Sequence, residues 1–138
     1  MDSQNNRGLK IAFTAHGAPE PQGSARAFVR GGRAVVTSDN PDLHGWRQVV
    51  AWAAQQHRPA EVIRGPVRVR LRFYLTRPAS VSERRRPRPI VKPDLDKLTR
   101  AVLDALTGIV WADDSQVVEV EASKNYGDAR VEIEVSEA

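Results

Sequence analysis

Leu9, Ile11, Phe13 and Ala15 alternate with Lys10, Ala12 and Thr14, the two-residue period of a half-buried strand. The turn-rich stretch HGAPEPQGS ends it, and the polar residues 1–7 before it predict a frayed, flexible start. Ala25–Val29 and Ala34–Thr37 flank Arg30-Gly31-Gly32-Arg33, whose glycines supply the positive φ of a tight turn. A hairpin with arginines at its tip is expected. Asn40, Pro41 and Asp42 then read as an N-cap, an N1 proline and a first-turn acid. Leu43, Trp46, Val49, Val50 and Ala53 recur at helical spacing, so a first helix runs to about Gln56 before Pro59 stops it.

At Val67 the period returns to two. Val67, Val69, Leu71, Phe73 and Leu75 share one face, with Arg68, Arg70 and Arg72 on the other. Residues 77–91 hold Pro78, Pro87, Pro89 and an arginine-rich run with few apolar positions, which predicts a basic mobile loop. Leu95, Leu98, Val102 and Leu106 form the buried stripe of a second helix, stopped by Gly108, with Asp96, Lys97, Arg100 and Asp104 opposite. Gln116–Ser123 and Ala129–Val135 alternate again and read as a strand pair joined by a hairpin turn at 124–128. The pattern predicts one α/β domain over residues 1–138, a mixed β-sheet with two main α-helices.

A chain of 138 residues is long enough to bury a core without staples, and the absence of cysteine excludes disulfides, thiolate metal sites and a thiol nucleophile. No apolar run is long enough to cross a bilayer, so a soluble, cytoplasmic protein with no membrane partner is expected. Lysine and arginine number 21 against 17 acids, but the charge is unevenly spread. Nine arginines and one acid lie between Arg64 and Arg88, whereas Asp104–Ala138 holds nine acids against Lys124 and Arg130. A basic lobe beside an acidic centre suits a polyanion held by its phosphates, with nucleic acid the leading candidate.

The acidic centre lies in KPDLDKLTRAVLDALTGIVWADDSQ, where Asp94 and Asp96 open the second helix and Asp113 and Asp114 follow it. Carboxylates at that density repel one another unless a divalent cation neutralises them, and oxygen ligands suit Mg²⁺ or Mn²⁺. If the chain returns toward the start of the helix, the four could hold one or two ions for metal-assisted phosphodiester hydrolysis. Arg100, four residues after Asp96, could orient a carboxylate or stabilise charge on phosphate. Arg84, Arg85, Arg86 and Arg88, just upstream, read as phosphate-steering groups; Lys92, Lys97 and the strand arginines Arg68, Arg70 and Arg72 extend the expected DNA surface.

Plainer readings stand beside these. An Asp-x-Asp at a helix start is commonly a cap, and an Asp-Asp before a strand is commonly a solvated turn. A DNA-binding accessory protein without catalysis follows from them. His16, His44 and His57 share no ligand spacing, Trp46 and Trp52 read as core or interface residues, and Trp111 is open to either a core or a functional role. Glu119, Glu121, Glu132 and Glu134 look like the polar face of an exposed hairpin.

The segment KPDLDKLTRAVLDALTGIVWADDSQVV resembles the signature of the RusA family of endodeoxyribonucleases, which are Holliday-junction resolvases: K/R-P/R-D-x-D-N-x-x-K, then D-x-L, then D-D-x-Q-V. The resemblance implies a small α/β homodimer that binds four-way DNA junctions and nicks two opposing strands symmetrically with Mg²⁺ or Mn²⁺. By position it makes Asp94, Asp96 and Asp114 the metal-binding acids, with Asp113 beside them. Two departures stand out: Lys97 replaces the family asparagine, and Arg100 replaces the family lysine, keeping charge without a titratable proton. A homodimer also fits physically, since two identical sites match two equivalent strands. A less selective nuclease of flaps or single strands is the alternative enzyme.

Overall fold

Among the residues that the computed structural model describes, 8–23, 25–30, 32–38 and 40–138, the elements are β1 (Lys10–His16), β2 (Ala25–Arg30), β3 (Arg33–Ser38), α1 (Leu43–His57), β4 (Val67–Leu75), α2 (Leu95–Leu106), β5 (Val117–Tyr126) and β6 (Arg130–Glu137). The expected frayed start at 1–7 and the first glycine of the hairpin tip lie outside the described residues; Gly32 has φ +79°.

β4 organises the sheet because its alternation is the strictest in the chain. Val67, Val69, Leu71 and Phe73 are fully buried while Arg68, Arg70 and Arg72 are exposed. Each such burial stabilises by roughly 1.5–3 kcal/mol. A strand with one such face is best placed centrally, and β4 has a neighbour on each side: the order is β1-β6-β4-β5, with β5 parallel to β4 and the other pairs antiparallel. Both helices cover the apolar face. Leu98, Ala101, Val102 and Leu106 of α2 and Trp46, Val50 and Ala54 of α1 join Phe73, Ile133 and Trp111 in one core. The architecture is a mixed four-stranded sheet with two helices, as the patterning predicts. Among the described residues, β2 and β3 pair only with each other.

Two expectations need correction. The last two strands are not a hairpin pair, because β4 lies between them. Their connection crosses the end of β4: Gly127 N–H donates to Leu75 O (3.0 Å), and a Cβ on Gly127 would stand 3.0 Å from the Tyr74 ring. Asn40 is not the N-cap of α1. That position is Asp42, and Asn40 Oδ1 instead accepts from Asp42 N (3.1 Å) while its amide donates to Pro21 O (2.7 Å).

The segment 77–91 has turns but neither helix nor strand, and its arginines tie it down. Arg77 stacks over Tyr126 (4.2 Å) and donates to Arg86 O, Arg86 reaches the Tyr126 hydroxyl (3.3 Å), and Arg88 donates to Lys124 O (2.9 Å) and Asn125 Oδ1 (3.1 Å).

Candidate functional site

Asp94 occupies the N-cap position of α2 in extended backbone, yet its carboxylate makes no capping hydrogen bond. Asp96 follows in the first turn, and both are exposed. The N–H groups that point out of that turn, with the helix dipole, make this end of the helix electropositive, which favours two anionic side chains there. Lys124, which the sequence reading passed over, fixes the approach: its amine donates to Val91 O (2.9 Å) and Pro93 O (2.8 Å), the carbonyls just before Asp94.

Asp94 stands on a ridge between two open clefts. One, of about 700 Å³, is lined by Arg88, Ile90, Lys92, Ser123 and Lys124. The other, of about 580 Å³, lies between Glu20–Gly23, Asn40 and Lys97. Glu20, Gln22 and Asn40 carried no sequence signal for this place, because they reach it through the fold: Gln22 N–H donates to Lys97 O (2.9 Å).

Asp113 and Asp114 lie at the other end of α2. Thr107, the C-cap of that helix, donates through Oγ1 to Asp114 Oδ1 and in turn accepts from the buried Trp111 indole N–H (3.0 Å). Trp111 is therefore a core residue that braces Asp114 through Thr107. Asp113 is engaged in its own turn, accepting from Ser115 N (3.0 Å) and from the Ser115 hydroxyl. The hydroxyl and then the backbone N–H hold its carboxyl below the usual aspartate value, since both bonds favour the charged form.

Gln116 locks this turn, a role the sequence reading missed by placing it at a strand start. Its Oε1 accepts from Ala112 N (2.8 Å) and Asp113 N (2.7 Å), and its Nε2 donates to Ile63 O (2.7 Å) and Gly65 O (2.9 Å). All four sites of the amide are used. Gln116→Glu keeps the acceptor but turns a carboxylate oxygen toward two carbonyls, so urea unfolding at neutral pH is expected to show a loss of about 1–3 kcal/mol. An unchanged midpoint would contradict the lock.

The two acidic pairs do not converge within one chain. From Asp94 to Thr107 is 13 residues, which at 1.5 Å rise is about 20 Å. Accordingly, no three acids or histidines among the described residues are grouped so as to hold an ion. The oxygen donors suit a hard divalent cation in kind, but a single chain does not assemble them into one site. Arg100 is exposed on α2, one turn beyond Asp96, and Lys97 is half-buried at the cleft wall.

Arg84 and Arg85 are exposed on the basic loop, and Lys92 is exposed between the two clefts. Arg68, Arg70 and Arg72 sit apart from the acidic centre, on the sheet face opposite the helices. Arg68 pairs with Glu119 (2.6 Å) and Arg70 with Glu121 and Glu134 (3.7 Å), so those acids neutralise a charge ladder across three strands. Arg72 is flanked in register by Ser123 and Glu132.

Comparison with known proteins adds the decisive observation. The family model described as endodeoxyribonuclease RusA matches residues 17–136. The chain belongs to the RusA family. It is also 38% identical over 137 residues to the uncharacterized protein YqaN of Bacillus subtilis (strain 168), an alignment covering 92% of this chain and 96% of that protein. The matched segment of this RusA family member, an endodeoxyribonuclease family, includes Asp94, Asp96, Asp113 and Asp114, and no helix among the described residues is long and apolar enough to cross a membrane.

Proposed function

We propose that this RusA family protein is a homodimeric, Mg²⁺- or Mn²⁺-dependent endodeoxyribonuclease that resolves four-way DNA junctions by paired symmetric nicks. The observation that carries this reading is an Asp-x-Asp at an open helix N-terminus whose N-cap carboxylate is not spent on capping, in a chain matched by the family over residues 17–136. Asp94, Asp96 and Asp114 would hold the metal. When bound, such an ion supplies an activated water and charge stabilisation on phosphate. Arg84, Arg85 and Lys92 hold the DNA backbone beside Asp94, and Arg100 clamps phosphate without exchanging a proton. Arg86 and Arg88 brace the loop that presents them.

The separation of the acidic pairs supports a dimer. β5 is an edge strand that starts next to Asp114 and ends at Lys124–Tyr126, beside the approach to Asp94. It leaves Val118 at 59% and Val120 at 45% exposure, apolar surface on a strand whose outer edge has no neighbour among the described residues. A two-fold axis across β5 pairs that edge antiparallel with its copy. Asp114 of each chain then comes to the end where the other chain holds Asp94 and Asp96.

A synthetic four-way junction incubated with the protein and Mg²⁺ is expected to yield nicks at symmetry-related positions on opposing strands. Linear duplex of the same sequence should stay intact. Equal cutting of the duplex, or of flaps and single strands, would replace junction resolution with a less selective nuclease activity.

A further inference from the structure

We infer that Lys124, near the end of the edge strand β5, is a positioning residue for DNA cleavage: its ammonium fixes the backbone that mounts Asp94 at the clefts. The inference rests on the nuclease reading above and adds to it a residue outside the acidic segment and the basic loop.

The need for such a residue is set by the chain. Residues 76–94 connect β4 to α2 with neither helix nor strand, and Asp94 is the last of them. Ordering a connection of that length costs conformational entropy, and an untethered one would leave the Asp94 carboxylate without a fixed position. Pro93, immediately before Asp94, has no N–H with which to anchor itself. The carbonyls on either side of Lys92 serve instead, and the Lys124 amine takes both, Val91 O at 2.9 Å and Pro93 O at 2.8 Å.

Strand register brings the ammonium to that place. Lys124 is the partner of Phe73 in the parallel β4–β5 ladder, and Phe73 is buried on the helix-covered face. Partners in register share a face, so the lysine stem leaves β5 on the side of α2. Ala122, one step back on that face, packs against the core and steadies the strand from which the stem departs.

By charge alone a cation is out of place at the start of α2, where the helix dipole is positive. Lys124 is nonetheless half-buried there, and among the described residues it forms no ion pair with Asp94 or Asp96. Its bonds go to backbone, so both carboxylates stay open while their mounting is held. Aiming Asp94 requires a donor long enough to cross from β5 to two carbonyls, and lysine supplies it. The neighbouring residues extend the clamp: Arg88 donates to Lys124 O and Asn125 Oδ1, and Arg77 and Arg86 reach Tyr126. Lys124 is the link next to Asp94.

The chain has no cysteine, so Lys124→Cys can be rebuilt chemically at that position alone. Alkylation with 2-bromoethylamine restores a side chain of lysine length with its N–H donors. A trimethylammonium-ethyl thiosulfonate restores the charge without any donor. Unmodified Lys124→Cys is expected to nick a synthetic four-way junction up to about 100-fold more slowly at saturating protein with Mg²⁺, the scale of misplacing a reacting group by about 1 Å. Its metal-free affinity for the junction and its melting temperature should stay near those of the wild type. Amide hydrogen exchange around residues 91–97, measured without metal or DNA, should quicken. Aminoethylation should restore both the rate and the exchange protection, and the trimethylammonium group neither. Recovery with the trimethylammonium group overturns the proposal, because charge alone then suffices. A cysteine variant that nicks at the wild-type rate overturns it as well, and so does one that loses affinity, melting temperature and rate together, as a general loss of fold would. A wild-type protein that cuts no DNA overturns the nuclease reading together with the proposal.

Discussion

Two inactive variants, Asp94→Asn/Asp96→Asn and Asp114→Asn, are expected to regain strand nicking when combined in one heterodimer. In a shared site, one of the two centres in that heterodimer receives intact Asp94 and Asp96 from one chain and intact Asp114 from the other. The second centre receives every substitution. Co-expression with different tags and sequential purification isolates the mixed species, whose nicking rate should be about half that of the wild-type dimer because one of two equivalent centres survives. Its product should be a nicked junction in place of two resolved duplexes, since one centre cuts one strand. Each parent homodimer should lack nicking under the same conditions. If each chain instead completed its own site, the heterodimer would hold no intact centre and would be as inactive as its parents; that outcome would reject the two-chain site.

The reason the separation of the two acidic pairs was illegible in the sequence is the connection from 107 to 112. Six residues fully extended reach about 20 Å, barely enough to return along α2. The chain spends them locally: Ile109 and Val110 donate back to Leu106 O, and Gly108 N–H donates to Trp111 O (2.7 Å). Asp114 is therefore parked at the helix end it has just left. The spacing of aspartates announces a site but does not say which chain completes it. The faces of β4 and α2, by contrast, were readable because burial follows periods of 2 and 3.6 directly. Partners were not. Period two assigns Glu119 and Glu121 to an outer face without revealing that Arg68 and Arg70, 51 residues earlier, stand opposite. The same limit applies to the last two strands, whose alternation does not reveal that β4 lies between them. Glu20, Gln22 and Asn40 lacked even a period, since turn residues reach the Asp94 cleft only through tertiary hydrogen bonds.

Asp96→Asn is expected to abolish cleavage while leaving junction affinity intact. The side chain is exposed in the first turn of α2 and packs in no core, so the substitution leaves the fold alone; surface changes of this kind fall within about 0.5 kcal/mol. It removes one negative oxygen donor from a centre with few of them. A loss of about 3 kcal/mol in transition-state stabilisation corresponds to a rate lower by about 100-fold or more. Binding should hold or tighten slightly, because an acid facing phosphate has been neutralised. The paired measurement is single-turnover nicking with Mg²⁺ and fluorescence anisotropy on the same junction without it. Persistent nicking would remove Asp96 from the centre, and a parallel fall in affinity and melting temperature would return it to the plain role of a helix-start residue. Asp113→Asn makes the contrast, since that carboxylate is already occupied by Ser115 and serves its own turn: its cleavage should fall far less than that of Asp96→Asn. Asp113 thus organises its own turn while Asp96 stands exposed at the start of α2, and on the proposed reading only Asp96 of these two should separate cutting from binding.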